Sequence, residues 1–213
     1  MATLYGVGGS PFVRKVRVVC AEKNIPYDHE PVFPGQVDRK ISPLGKVPGW
    51  NDERGPLSDS SIICAYLERT HPEPPLYPSD PYAHARALWF EEYGDTALAE
   101  TLTGAIFVQR IVAPRFLGRA TDDAVVQTAI ETRVPPLFDY LESQLGSGDV
   151  LAGSGFSIGD IAIATHFVNA RYAGFRVDER RWPALARYVT RILGRASFRT
   201  LIEEEESMLG RAA

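Results

Sequence analysis

The chain changes rhythm near residue 76. Before it, apolar positions come in short stretches separated by turn residues; after it, they recur at helical spacing to the end. Thr3, Leu4 and Tyr5 read as a strand, and glycines at 6, 8 and 9 make a tight turn. Ser10-Pro11 then opens a helix, serine as the cap and proline at the first helical position. Phe12, Val16, Val19 and Cys20 form its apolar stripe, with Arg14, Lys15 and Arg17 expected to turn elsewhere. The run 23–26 ends the helix, and 27–32 is a second strand, parallel to the first across the helical crossover. Residues 34–42 are polar, with room for one short helix. A loop over 42–50 leads into a strand, a turn follows at 51–55, and 56–58 completes a hairpin. Asp59-Ser60 opens a further helix whose apolar face is Ile62, Ile63, Tyr66 and Leu67, and His71-Pro72 stops it.

Prolines at 72, 74, 75, 78 and 81 exclude helix and central strand from that stretch, which marks a domain boundary: 1–76 and 77–213. Five helical patterns follow, at about 82–119, 122–145, 157–173, 182–193 and 196–209. The first is long, and Gly94, Gly104 and Pro114 predict that it kinks or divides. Ser157 and Asp160 have capping-box spacing, and Phe156 with Ile161 has hydrophobic-staple spacing, so Asp160 is assigned to folding rather than to chemistry.

Composition narrows the function classes. The 213 residues are 45% hydrophobic, enough for ordinary cores, and the net charge of −4 with interspersed cations gives no support to a nucleic-acid partner. Apolar runs are broken by charge well before membrane-spanning length and none leads the chain, so the expected location is the cytoplasm. Cys20 and Cys64 lie on apolar faces and read as buried thiols; the histidines at 29, 71, 84 and 166 show no ligand spacing, and no metal is expected. The acidic run 203–206 reads as a solvated helical face.

Candidate chemistry starts at Ser10. A hydroxyl at a helix start serves either as a cap or, with the helix-end amides, to stabilise an anion such as a thiolate. Position 10 alone leaves both open. The glycine spacing does not suit a dinucleotide fold, because Pro11 stands where a third glycine belongs. Ser10-Pro-Phe12-Val-Arg-Lys-Val, Gly45-Lys46-Val47-Pro48 and Asp59-Ser60, in that order, together with the box at 156–161, resemble the glutathione transferase superfamily over essentially the whole length. The resemblance is to serine-type, tau-like or bacterial-like members.

That resemblance implies an α/β plus all-α protein: an N-terminal thioredoxin-like domain of order β-α-β-α-β-β-α, then an all-helical domain. It implies glutathione as co-substrate and a homodimer as the assembly. Ser10 is the implied catalytic group; Phe12, Lys46, Val47, Pro48, Asp59 and Ser60 complete the glutathione-binding set. Lys46 suits the glycine carboxylate, a cis bond before Pro48 turns the Val47 backbone toward the cysteinyl group, and Asp59 suits the ammonium. Trp89, Tyr93 and Phe107 on the first long helix of the second half are the candidates for a small hydrophobic electrophile. Serine where oxidoreductase-like members carry cysteine excludes a mixed disulfide through that residue. Tyr5 is kept as a weak substitute for Ser10. A non-catalytic binding or regulatory module on the same scaffold, and peroxidase or isomerase chemistry on the same thiolate, stand as alternatives.

Overall fold

Leu4 sits at the centre of the first sheet, fully buried, facing His29 of one neighbouring strand in register and Trp50 of the other. The computed structural model describes residues 1–211; residues 212 and 213 of the expected second domain lie outside it. Two compact units are present, one ending at Tyr77 and the other beginning at Pro78.

The first unit runs β1 (Ala2–Tyr5), α1 (Pro11–Glu22), β2 (Tyr27–Glu30), β3 (Gly49–Asp52), β4 (Gly55–Ser58) and α2 (Ser60–Thr70). Its sheet order is β2-β1-β3-β4, with β1 parallel to β2 and antiparallel to β3, and β3-β4 a hairpin. Val13, Val16, Val19 and Cys20 of α1 and Ile63, Cys64 and Leu67 of α2 pack the core. Burial pushes the Cys20 thiol up to about 12, so it stays protonated and inert, as a core cysteine should. Trp50 is also core, and its indole N–H donates to Asp52, which accepts the Tyr66 hydroxyl and the Arg54 backbone N–H as well.

One expectation fails here. Between β2 and β3 there is no helix; Asp38 closes a single turn by accepting Ile41 and Ser42 N–H groups, and Pro43 and Gly45 prevent its extension. The cations of α1, read as turning away from its apolar stripe, are nonetheless buried: Arg14 and Lys15 fully and Arg17 nearly so. Lys15 donates to the Ser61 hydroxyl of α2, and Arg17 to the phenol of Tyr27. Periodicity sorts residues by polarity, but a long cationic side chain can run along an apolar surface to a partner on another element. Lys23 does the same beyond the helix end, reaching Glu68 and the carbonyls of His71 and Pro74, each at 2.7 Å. This fastens the proline-rich stretch to its own unit.

The second unit is helical: α3 (Pro81–Tyr93), α4 (Ala113–Phe116), α5 (Asp123–Thr128), α6 (Val134–Leu145), α7 (Ile158–Tyr172), α8 (Pro183–Leu193) and α9 (Ala196–Arg211). The chain stays helical through Gly94, Gly104 and Pro114, the positions expected to kink or divide it. Helix α3 passes into a stretch with π-type i→i+5 hydrogen bonding over Gly94–Val112 and on into α4. A second such stretch, Ala129–Arg133, joins α5 to α6. Helix α7 is the axis of the unit, with every residue from Ile158 to Ala170 buried. Glycines make its close crossings: a Cβ at Gly159 would lie 2.8 Å from the Ala87 carbonyl oxygen, and one at Gly94 2.9 Å from that of Ala162. Asp160, the expected capping residue, accepts Leu151 and Ser157 N–H groups and the Ser157 and Tyr188 hydroxyls. The start of α8 is capped from outside its own segment, the Glu142 carboxylate of α6 accepting the N–H groups of Ala184 and Leu185.

Candidate functional site

Ser10 caps α1, its Oγ accepting the Val13 N–H at 3.4 Å. A hydroxyl accepts through a lone pair and donates through its proton, so capping leaves the proton available; it has no acceptor among the described residues. No acidic residue stands in the first turn of α1, so nothing there neutralises the positive helix end. The two readings of Ser10, cap and anion stabiliser, are therefore compatible in one side chain.

Gly6 positions that helix start. At φ +144° it holds a backbone that side chains rarely adopt, and a Cβ would fall 2.5 Å from Val13 Cγ2 and 3.0 Å from Val47 Cβ. Its absence lets the first turn of α1 and the loop carrying Val47 close on the same glycine. The turn is pinned from β2: Gly6 N–H donates to the Glu30 carbonyl, and His29 Nε2 lies 2.7 Å from the Gly6 carbonyl oxygen. A carbonyl only accepts, so that ring nitrogen carries the proton. His29 escaped the sequence reading because nothing in a strand of alternating polarity says which loop a side chain will reach. Tyr5, partly buried, pairs in register with Glu30 and Gly49.

The Val47–Pro48 peptide is cis. Pro48 is buried, Val47 partly buried and Lys46 exposed. The loop is braced from behind: Ser42 Oγ donates to the Lys46 carbonyl at 2.7 Å, and Gly45, at φ +67°, exchanges backbone bonds with Gly35 and Ser42. Among the described residues, the Val47 N–H and C=O make no hydrogen bond. Arg39 packs its guanidinium against Gly45 and donates to the Pro43 carbonyl, placing a second cation beside Lys46. The sequence gives no spacing signal for it, because the contact depends on a loop fold of irregular shape.

Asp59 caps α2 with one carboxylate oxygen, Oδ1 accepting Ser61 N–H at 2.9 Å and Ile62 N–H at 3.4 Å. The other oxygen has no partner among the described residues, and the side chain is exposed. Asp59 sits at φ +79° and ψ 131°, a conformation costly for a side chain with a Cβ. Ser60, only 3% exposed, opens the helix beside it, and its hydroxyl likewise has no hydrogen bond among the described residues. Phe12 is partly buried on the first turn of α1.

In the second unit the aromatic candidates separate. Phe107 is buried, with its ring 6.4 Å from that of Tyr172, and belongs to the core. Trp89 is 48% exposed and donates from its indole N–H to the Tyr140 hydroxyl at 2.6 Å; Tyr93 stacks on both at 6.0 and 5.1 Å. Burial first, and Tyr140 second, raise the Tyr93 phenol, so it is a neutral donor, bonded to the Leu137 carbonyl. Tyr140 was not among the sequence candidates; it faces Trp89 from a different helix. Among the described residues no cluster of histidine, cysteine or acidic side chains could hold a metal ion, and no helix is long and apolar enough to cross a membrane.

Comparison with known proteins agrees with both units. The family described as glutathione S-transferase, N-terminal domain, matches residues 4–75, and glutathione S-transferase, C-terminal domain, matches 123–191. The uncharacterized GST-like protein YibF of Escherichia coli K12 is 30% identical over 92% of this chain and 95% of its own. A glutathione S-transferase from Rhodospirillum rubrum F11 superposes with a TM-score of 0.83 at 27% identity, covering 94% of this chain and 91% of that one. Another, from Methylobacterium radiotolerans in complex with glutathione sulfonate, gives 0.73 at 27% identity over 94% of each chain. With both domain families matched in order, and a 30%-identical relative covered nearly end to end, the chain belongs to the glutathione transferase superfamily.

Proposed function

We propose that the first unit binds glutathione with its sulfur beside Ser10, and that the protein is a glutathione transferase acting on a small hydrophobic electrophile. The observation that carries this is the Ser10 hydroxyl, which caps α1 as an acceptor and keeps its proton for an anion. The Ser10 O–H donates to the glutathione sulfur, favouring thiolate over thiol, and the sulfur lone pair then forms the new bond to the electrophilic carbon. The thiol proton passes to solvent, and the leaving group, where there is one, departs with its bonding pair. The Val47 N–H and C=O, without partners in their own loop, pair with the cysteinyl backbone as a strand would. Lys46, with Arg39 beside it, takes the glycine carboxylate. The second oxygen of Asp59 takes the γ-glutamyl ammonium, and Ser60 at the start of α2 takes the carboxylate next to it. Phe12 and Pro48 flank the ligand.

The relative bound to glutathione sulfonate supports the ligand class. Exposed Trp89 with Tyr93 supplies aromatic surface suited to an apolar electrophile. The protein works as a cytoplasmic homodimer in this reading, and sedimentation at micromolar concentration checks the dimer. Calorimetric titration with glutathione and S-hexylglutathione tests the whole: saturable binding by micromolar to millimolar ligand is expected. No saturable binding at millimolar ligand would replace the transferase with a non-catalytic module on the same scaffold.

A further inference from the structure

Helix α8 carries a second surface of defined chemistry, far along the chain from the residues discussed above. Its buried face is Ala184, Leu185, Tyr188 and Ile192. The opposite face, Pro183, Ala186, Arg187, Thr190 and Arg191, follows the i, i+3, i+4, i+7, i+8 pattern of a single helix side. Together with Glu179 and Arg180 from the preceding loop it lines an open groove of about 640 Å³. That is within the range of small-ligand sites.

Charge in the groove is unbalanced. Three guanidiniums, Arg180, Arg187 and Arg191, face one carboxylate, Glu179, in a chain whose net charge is −4. The side chains of Arg180 and Arg187 make no ion pair among the described residues. Arg191 lies over the Tyr188 ring at 6.0 Å and stands 3.6 Å from the exposed Asp149, an ion pair of small worth. Like charges four residues apart on one helix face repel, so Arg187 and Arg191 cost the helix stability unless an anion lies across them. The floor between them is small: Ala186 leaves space, and the Thr190 hydroxyl donates its proton back to the Ala186 carbonyl, so the donors left for a ligand are the guanidiniums.

We propose that this groove binds a phosphate-bearing ligand with two or more phosphoryl groups. Guanidinium forks match phosphate oxygens in pairs. Four residues of helix separate Arg187 from Arg191 by about 6 Å along the axis, a span that neighbouring phosphoryl groups bridge. Pro183 and Ala186 give the organic part of the ligand an apolar floor.

The test is calorimetric titration of the full chain with tripolyphosphate at low ionic strength, beside flotation with phosphatidylcholine vesicles containing phosphatidylinositol bisphosphate. Saturable one-to-one binding of tripolyphosphate is expected, weakened about tenfold by Arg187→Ala and further by Arg187→Glu with Arg191→Glu. Added salt weakens it as well. Binding of tripolyphosphate without vesicle binding identifies a soluble ligand; arginine-dependent vesicle binding identifies a lipid headgroup. Ser10→Ala leaves either unchanged, and the arginine variants leave glutathione binding unchanged, so this result stands apart from the transferase reading. No saturable binding of either probe, or wild-type affinity in the double variant, overturns the proposal.

Discussion

Asp59 and Asp160 each stand at the start of a helix, Asp59 as the N-cap of α2 and Asp160 at the third helical position of α7 behind its Ser157 cap, and the structure uses them in opposite ways. Asp160 is fully buried and accepts four hydrogen bonds, from Leu151, Tyr188 and, twice, Ser157. Burial pushes its carboxyl up from the usual range, while the bonds from Leu151, Tyr188 and Ser157 pull the other way. Asp59 is exposed, caps α2 with one oxygen, leaves the other without a partner, and stands in a strained backbone conformation at φ +79°. A helix cap whose hydrogen-bonding capacity is all used inside the protein is structural. One that keeps capacity facing solvent, at a conformational cost, is a candidate for binding.

Substitution tests that contrast most strongly at Asp160. Asp160→Ala strands two buried N–H groups and two hydroxyls, and the expected loss is about 3–5 kcal/mol of stability. Urea unfolding measures it, and the fraction still folded should bind glutathione with unchanged affinity. Asp59 should give the reverse. Asp59→Gly removes the carboxylate but relieves the positive φ, and glycine is only a few tenths of a kcal/mol poorer as a cap, so stability should change by less than about 1 kcal/mol. Glutathione affinity should fall about tenfold, the worth of one charge-assisted bond. If Asp59→Gly unfolds the protein while leaving affinity intact, the distinction between the two acids is wrong.

A smaller effect concerns Asp52, a third acid whose bonds are all internal but near the surface. Partial burial works to raise its carboxyl, yet hydrogen bonds from Tyr66, Arg54 and Trp50 prevail and hold it below the ordinary value. A depressed folded-state value means that its contribution is complete above the unfolded pKa of about 4 and is lost as pH falls below that. Thermal melts should therefore show Asp52→Asn destabilised at neutral pH, with the difference from wild type shrinking in acid. A gap that stays constant down the acid limb would assign those bonds no net preference for the carboxylate.

Much of this was legible before the structure, and the parts that were not share a cause. Helix starts at Ser10, Asp59 and Ser157 were readable because capping chemistry is local; the parallel β1-β2 pair lies where the β-α-β pattern placed it, and the cis bond before Pro48 where the family resemblance implied it. The buried Arg14, Lys15 and Lys23 were not, since their partners Ser61, Glu68, His71 and Pro74 lie tens of residues away. The missing helix at 34–42 and the unbroken run through Gly94 show the same limit. Glycine and proline signal local preference; at Gly94 close packing against Ala162 of α7 keeps the chain helical, whereas at 34–42 Pro43 and Gly45 stop a turn that polar composition left open. At the candidate site, the residues named from short motifs were Ser10, Phe12, Lys46, Val47, Pro48, Asp59 and Ser60. His29 and Arg39, which act on the loops carrying them, became visible only with the turn at Gly6 and the loop at Gly45 in place.

The central claim is that Ser10 donates to a glutathione thiolate, and the direct measurement is the pH titration of thiolate absorbance in the bound complex, wild type against Ser10→Ala. Free glutathione thiol titrates near 8.5, as an ordinary thiol does, and a charge-assisted bond of about 1.5–3 kcal/mol corresponds to one to two pH units. The wild-type complex is expected to titrate about one to two units below the free thiol, with Ser10→Ala returning most of the way and losing about tenfold in turnover at neutral pH while keeping its glutathione affinity within a few-fold. Coincident titrations for the two proteins would contradict the claim and return Ser10 to the role of a helix cap.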